Sequence, residues 1–193
     1  MGTTTRKQGH DNLVWIDLEM TGLDPQSEVI LQAAVIITDA QLTPLESMCV
    51  DVWQPEDRLR QMVPFVRNMH TKNGLLERCQ NSTVDIRDAE QKLMEIVTGW
   101  CPYRPVLCGN TIGSDRKFID KYMPTLAGYL HYRMVDVSSF KVLCNLWYPE
   151  SPYDKPRDAQ HDALFDIEQS IKELAHYRAS MLRPQRGIKA RPL

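Results

Sequence analysis

No Cys-x-x-Cys pair occurs in the 193-residue chain, and its five cysteines (Cys49, Cys79, Cys101, Cys108 and Cys144) are an odd set. That argues against a structural zinc site and against a disulfide framework; most of these thiols stand among apolar neighbours, as reduced packing residues do. Long hydrophobic runs are also missing. The longest, Val29 to Ile37, is interrupted by Gln32 and falls far short of the ~20 residues a membrane helix needs. Met1 to Asn12 is polar and lacks the apolar core of a secretion signal. Nor is there an excess of positive charge, since 23 Lys and Arg against 25 Asp and Glu leave a net charge of −2. A protein that holds long nucleic acid through many phosphates needs Lys and Arg to replace the counterions. A nucleic-acid substrate here is therefore short, or held mainly by metal and pocket. Internal repeats and low-complexity segments are absent as well.

What is there suits one domain with a full-sized core. Hydrophobic residues make up 42% and charged residues 25%, the balance of an ordinary globular chain. The apolar run Leu13-Val-Trp-Ile before Asp17 predicts a buried strand. Val29 to Thr38 predicts a second and Met48 to Trp53 a third, with Asp39 to Pro44 as the turn between them. Short connections imply an antiparallel meander. Ala89, Leu93, Ile96, Val97 and Trp100 recur at helical spacing within a helix from Val84 to Trp100. Val106 to Gly109 is a fourth strand, and Ser114 caps a helix from Asp115 to Met123 that Pro124 stops. A fifth strand from Tyr132 to Asp136 precedes a helix from Val137 to Trp147. After a loop from Tyr148 to Gln160, a last helix runs from His161 to Tyr177. Strands first and alternating helices and strands afterwards predict an α/β fold: a mixed five-stranded sheet flanked by helices. The expected organisation is a flexible N-terminus over 1–12, one domain over 13–180, and a basic, disordered tail over 181–193.

The candidate chemistry lies in acids near element ends. Successive strand residues alternate faces, so Asp17 and Glu19 point the same way, roughly 6–7 Å apart along the backbone. Two adjacent carboxylates repel unless a cation sits between them, and hard ions such as Mg²⁺ or Mn²⁺ prefer carboxylate oxygens. Asp-x-Glu also occurs at Asp88–Glu90 and Asp166–Glu168, in helical stretches, so spacing alone is weak. The apolar run before Asp17 and the turn Thr21-Gly-Leu-Asp-Pro25 after Glu19 single this copy out, because α/β folds place ligands at sheet ends. Asp115 is an acid in the first turn of a helix just past a strand, a position Asp favours in any helix. His161 precedes Asp166 by five residues, about 140° of helical rotation, which puts it on the loop entering the helix rather than on Asp166's face. Asp162, four before Asp166, shares that face and competes for its role. His70, taken alone, reads as a surface or capped histidine.

Taken together, Asp17-Leu-Glu-Met-Thr-Gly22, Gly109-Asn-Thr-Ile-Gly-Ser-Asp115 and His161-x-Ala163-x-x-Asp166 closely resemble the three exonuclease motifs of the oligoribonucleases, DEDDh-type 3′-to-5′ exoribonucleases with an RNase H-like fold. The resemblance includes Lys121 to Pro124, His131-Tyr-Arg133 and Asp136-Val-Ser138, and runs from about Leu13 to Tyr177. It implies hydrolysis of short oligoribonucleotides, especially dinucleotides, to 5′-mononucleotides by a two-metal mechanism. Asp17, Glu19, Asp115 and Asp166 would hold two divalent ions, Mg²⁺ or Mn²⁺, and His161 would be the general base. Leu23 matches a leucine that wedges between bases, Phe65 stands where an aromatic (usually Trp) stacks a base, and His70 matches a nearby histidine. Thr111 stands where a Ser contacts phosphate, and Ser138 belongs to the same substrate-binding set. Tyr132 and Arg133 match residues supplied by a second subunit, which implies a homodimer with composite sites. Besides Phe65 for Trp, Gln32 falls where Glu is usual and Phe165 where an extra Asp is usual; none of these is a metal ligand. A DEDDh exonuclease acting on longer RNA or DNA is the alternative, and a non-catalytic nucleic-acid-binding module a more distant one. The expected location is the cytoplasm, or a mitochondrion if a presequence was removed, with no membrane partner.

Overall fold

The computed structural model describes residues 8–154 and 162–182. Its sheet is built from β1 (Leu13–Met20), β2 (Ile30–Thr38), β3 (Pro44–Asp51), β4 (Val106–Gly109) and β5 (Met134–Asp136), in the spatial order β3-β2-β1-β4-β5. β1, β2 and β3 are antiparallel neighbours, whereas β4 and β5 run parallel to β1. The mixed five-stranded sheet is therefore present. Around it lie α1 (Glu56–Arg60), α2 (Pro64–Lys72), α3 (Leu75–Asn81), α4 (Ile86–Trp100), α5 (Gly113–Tyr122), α6 (Pro124–Tyr129), α7 (Val137–Trp147) and α8 (Ala163–Met181).

Alternation along the strands divides the core between two faces. Val14, Ile16 and Leu18 join Ala33, Val35 and Ile37 in a cluster with Leu93, Val97, Phe118, Ile119 and Leu126 of α4, α5 and α6. Trp15, Ala34 and Ile36 pack instead with Val137 and Cys144 of α7 and Ala163, Ile167, Ile171 and Leu174 of α8. Covered on both faces, β2 buries all of its residues. A smaller cluster of Leu31, Leu59, Met62, Leu75, Leu76 and Cys79 seats α1 and α3 beside the sheet. Gly74 links α2 to α3 at φ 73°, left-handed backbone that glycine adopts without steric cost. All five cysteines are free thiols, and four are buried. Burial pushes Cys79 and Cys101 up to about 12, so they pack as inert thiols. Among the described residues no helix is long and apolar enough to cross a membrane.

Several element bounds correct the sequence expectations. β1 runs through Glu19 to Met20, so both acids are strand residues, as their expected alternation requires. β3 begins at Pro44, which the turn was expected to contain, and ends at Asp51. Pro124 stops α5 but also opens α6, a helix the sequence reading lacks; proline suits a first helical position, where no N–H bond is lost. Ser114 is not the cap of α5. That helix starts at Gly113, its N-cap Ile112 makes no side-chain bond, and the Ser114 N–H turns back to the Thr111 carbonyl at 2.9 Å. β5 is shorter than expected. α8 starts at Ala163 rather than His161 and runs past both Tyr177 and the expected boundary at 180.

Candidate active site

β1 is paired with β4 only from Leu13 to Trp15. β4 ends at Gly109, where a Cβ would stand 3.1 Å from the Ile16 carbonyl oxygen and 2.7 Å from the Ile112 side chain. Glycine thus lets the β4 end close against β1. Beyond Trp15 the β4 side of β1 has no neighbouring strand among the described residues, and the Leu18 N–H instead donates to Asp115 Oδ1 at 3.0 Å. One acid from α5 is thereby fixed to the backbone between Asp17 and Glu19.

Asp17 and Glu19 continue the Trp15 side of the sheet, the side that α8 covers. Asp166, in the first turn of α8, completes a cluster in which one oxygen each of Asp17, Glu19 and Asp166 lies within 4.8 Å of the others. Asp115 is outside that trio but close enough to act on Glu19. Glu19 is only 9% exposed, and its carboxyl is pushed from 4.5 up to about 8, first by burial and then by the charges of Asp166, Asp115 and Asp162. Asp115 is raised to about 7 by burial, against the lowering effect of its bond to Leu18. Buried oxygens that repel one another so strongly fit a hard divalent cation, which would replace their lost hydration with direct ligation. Asp17, Glu19, Asp115 and Asp166 are the donors present for it.

Asp162, the competing acid, is the N-cap of α8 and accepts the Phe165 N–H at 3.2 Å. His161 lies outside the described residues. His70 is not at the surface. It is the one buried residue of α2, its Nε2 bonds to the Met20 carbonyl at 3.0 Å, and the same nitrogen stands 4.0 Å from Glu19 Oε2. A histidine at the end of β1 thus joins the site from beneath, through long-range packing that no local pattern announces.

Leu23 and Phe65 project freely, 81% and 78% exposed, the former three residues past the end of β1 and the latter on α2 with His70. Thr111 holds a φ of 51°, uncommon and costly for a β-branched residue. Its N–H donates to Asp136 Oδ1 at 2.9 Å, and the same oxygen accepts the Ser138 N–H at 3.0 Å and Oγ–H at 2.6 Å. Ser138 is therefore engaged in capping α7, and Asp136, which the sequence reading gave no role, ties Thr111 to that cap. Exposed Tyr132 stacks on His131 at 4.5 Å, and Arg133 lies over the Tyr132 ring at 5.4 Å. They do not join the carboxylates within this chain. Register sets Met134 level with Leu107 and Leu107 level with Val14. Arg133 is thus about four residues short of Asp17 along the strands, ~13 Å, and two strands away, ~10 Å.

The exonuclease family RNase_T matches residues 14–174. The oligoribonuclease of Ectopseudomonas mendocina is 41% identical over 178 residues, 91% of this chain and 99% of that protein. That of Chromobacterium violaceum is 43% identical over 178 residues, 91% of this chain and 98% of that protein. That of Vibrio campbellii is 44% identical over 175 residues, covering 89% and 96%. Among solved structures, exonuclease I of Methylocaldum szegediense is similar with a TM-score of 0.65 at 19% identity, over 88% of this chain and 41% of its own. E. coli exonuclease I in complex with a 5cy-dA13 oligonucleotide gives 0.66 at 16% identity, over 89% and 41%. The chain spans about two fifths of those longer structures, and at such identity they bear on the fold alone.

Proposed function

The chain belongs to the oligoribonuclease family of exonucleases and has its RNase H-like fold, and from that premise we propose that it is a metal-dependent 3′-to-5′ exoribonuclease that releases 5′-mononucleotides from short oligoribonucleotides. The carboxylate cluster of Asp17, Glu19 and Asp166, with Asp115 beside it, is the observation that carries this reading. These four acids are proposed to hold two divalent ions, Mg²⁺ or Mn²⁺. When bound, such a pair stabilises the attacking and leaving oxygens of an in-line displacement. The protein's part is to present preplaced oxygens: β1 aims two of them, α8 a third, and the Leu18 N–H orients the fourth.

His161 is proposed as the general base that takes the proton of the attacking water, a role suited to imidazole near its ordinary pKa of about 6.5. Its support is the motif and its place directly before Asp162, the cap of the helix that carries Asp166. Leu23 and Phe65 are proposed to hold two bases, each stack contributing about 1–3 kcal/mol. Thr111 and Ser138 lie beside one another on Asp136 and are proposed to meet substrate phosphate, and His70 to steady the Glu19 side of the site. Relatives of bacterial origin favour the cytoplasm and lend nothing to the mitochondrial alternative.

Arg133 is proposed to grip the substrate's 5′-terminal phosphate in the site of a second subunit, since it stands about four residues along the strands and two strands across from its own Asp17. Strand β5, at one edge of the described sheet, exposes Met134, and helix α7, which follows it, exposes Val142, Leu146 and Trp147; large exposed apolar side chains suit an interface between copies. Inactive Asp115→Asn chains mixed with inactive Arg133→Ala chains are then expected to recover activity, because one site of each mixed dimer receives both intact halves. No recovery despite measured subunit exchange contradicts the composite site.

Substrate length is the test of the function itself. The chain carries no net positive charge, and an Arg that caps a 5′ phosphate leaves little room for the strand to continue. Dinucleotides bearing a 5′ phosphate should be the best substrates, with efficiency falling as nucleotides are added. Removing the 5′ phosphate should weaken binding, and Arg133→Ala should erase that difference. A twenty-nucleotide RNA that outcompetes a dinucleotide at physiological salt would make a general exonuclease the better description.

A further inference from the structure

We propose that Gln32 is a positioning residue of the metal site: its carboxamide, anchored by Asp51, pins the first turn of α8 and so sets Asp166 against Glu19. This rests on the reading of those carboxylates as metal ligands. Gln32 pairs directly with Glu19 across β1 and β2, and with Asp51 across β2 and β3. Directly opposed strand residues project from the same face, so Glu19, Gln32 and Asp51 form one polar row beneath α8. The row runs from the site to the edge of the sheet.

Gln32 is buried, 2% exposed, and both ends of its amide are used. Its Oε1 accepts the Ala163 N–H at 3.1 Å, and its Nε2 donates to Asp51 Oδ1 at 2.7 Å. Asp51 is held from outside by Arg78, whose Nε donates to Oδ2 at 3.0 Å. Ala163 is the first residue of α8, so its N–H is one of the four that no intrahelical carbonyl can satisfy. Asp162 takes the Phe165 N–H with its side chain and the Asp166 N–H with its carbonyl, which leaves the Ala163 N–H to Gln32. Asp166 lies three residues on, within the same rigid turn, so fixing Ala163 fixes where the Asp166 carboxylate emerges.

The amide suits the place because it joins an acceptor and a donor in one neutral group. Asp51, which can only accept when ionised, orients the NH₂ outward and thereby turns the oxygen to the helix. A leucine would leave the Ala163 N–H and the Asp51 oxygen without this partner. Released from Gln32, the helix start would drift, and ligand oxygens displaced by a fraction of an ångström lose affinity.

Mn²⁺ titration of the metal-free full chain by calorimetry, with hydrogen exchange at the Ala163 amide, tests the proposal. Gln32→Leu should weaken Mn²⁺ by about tenfold, the lower end of what outer partners of metal ligands cost, and should speed exchange at Ala163. Tyr129→Phe removes a hydroxyl bond to the Cys101 carbonyl on the opposite face of the sheet and controls for general loss of stability; it should leave Mn²⁺ affinity unchanged. If Gln32→Leu fails to fold, Asp51→Ala and Asp51→Asn give the answer at a partly exposed position. Both remove the same charge, but only Asn keeps an acceptor for Gln32, so Ala should bind Mn²⁺ more weakly than Asn. Equal affinities in that pair, or a Gln32→Leu affinity within twofold of wild type, overturn the positioning role. A wild-type chain that binds no Mn²⁺ overturns the metal-site reading instead.

Discussion

Asp17→Asn, Asp115→Asn and Asp166→Asn are each expected to lose at least about 10³-fold in turnover while remaining folded. Several kilocalories per mole of transition-state stabilisation depend on ions held by these oxygens, and about 4 kcal/mol corresponds to 10³ in rate. The fold survives because an amide keeps the volume, and because at Asp115 an amide oxygen can still accept the Leu18 N–H. The metal-free protein adds a second signature. Glu19 is raised from 4.5 to about 8 and Asp115 from 3.8 to about 7, so between the ordinary and raised values the folded chain binds protons that the unfolded chain has released. Stability therefore falls with rising pH over that range. The contribution is whole below about pH 4 and is lost as pH climbs through about 7 for Asp115 and about 8 for Glu19. Melting in EDTA from pH 5 to 8.5 should show the decline in wild type and a shallower one in Asp115→Asn. Divalent metal should reverse it, by about 2.7 kcal/mol at a hundred times its Kd. Near-normal turnover by any of the three Asn variants would remove that acid from the ligand set.

His161→Ala should lower the rate by roughly 10²–10⁴, the usual contribution of a positioned general base, with Mn²⁺ affinity close to wild type. That separation distinguishes a base from a ligand, since a ligand substitution loses both. The wild-type rate should rise with pH through the histidine titration, and the variant's should not. Asp162→Ala is the informative comparison. It removes the side-chain bond that caps Phe165 and should cost about 1 kcal/mol of stability, with a smaller effect on rate. If Asp162→Ala proves the damaging change and His161→Ala the mild one, the two roles are reversed.

Much of the acidic cluster is legible in the sequence, because its carboxylates sit in short segments whose local pattern carries meaning. Asp17 and Glu19 follow an apolar run, Asp115 lies in the first turn of a helix after a strand, and Asp166 lies in the first turn of another. The helix expected from Val137 to Trp147 is α7 with the same bounds; it follows directly on a strand, and the structure adds that Asp136 caps it. Where the local pattern is ambiguous, the element bounds differ from it. Pro44 reads as a turn residue, yet the first position of an edge strand does not need its N–H, and β3 begins there. Pro124 reads as a stop, yet it serves equally as a helix's first residue.

The remaining omissions are contacts between distant segments. His70 gives no periodic signal of burial, and only the approach of α2 to the end of β1 places it under Met20 and beside Glu19. Gln32 stands inside an apolar strand, where a polar residue signals some partner but not which one. Its link to Ala163 spans 131 positions and depends on the register of β2 against β1. Asp136 was visible as a strand end, but its bond to Thr111 depends on how two βα turns meet.

Digestion of a pentaribonucleotide labelled at its 5′ end, followed over time in Mg²⁺ and in EDTA, bears most directly on the proposed chemistry. The expected result is a ladder of labelled products shortened one nucleotide at a time from the 3′ end, with 5′-mononucleotides released and no cleavage in EDTA. Labelled mononucleotide as the first product, a single internal cut, or full activity in EDTA would contradict a metal-dependent 3′-to-5′ exoribonuclease.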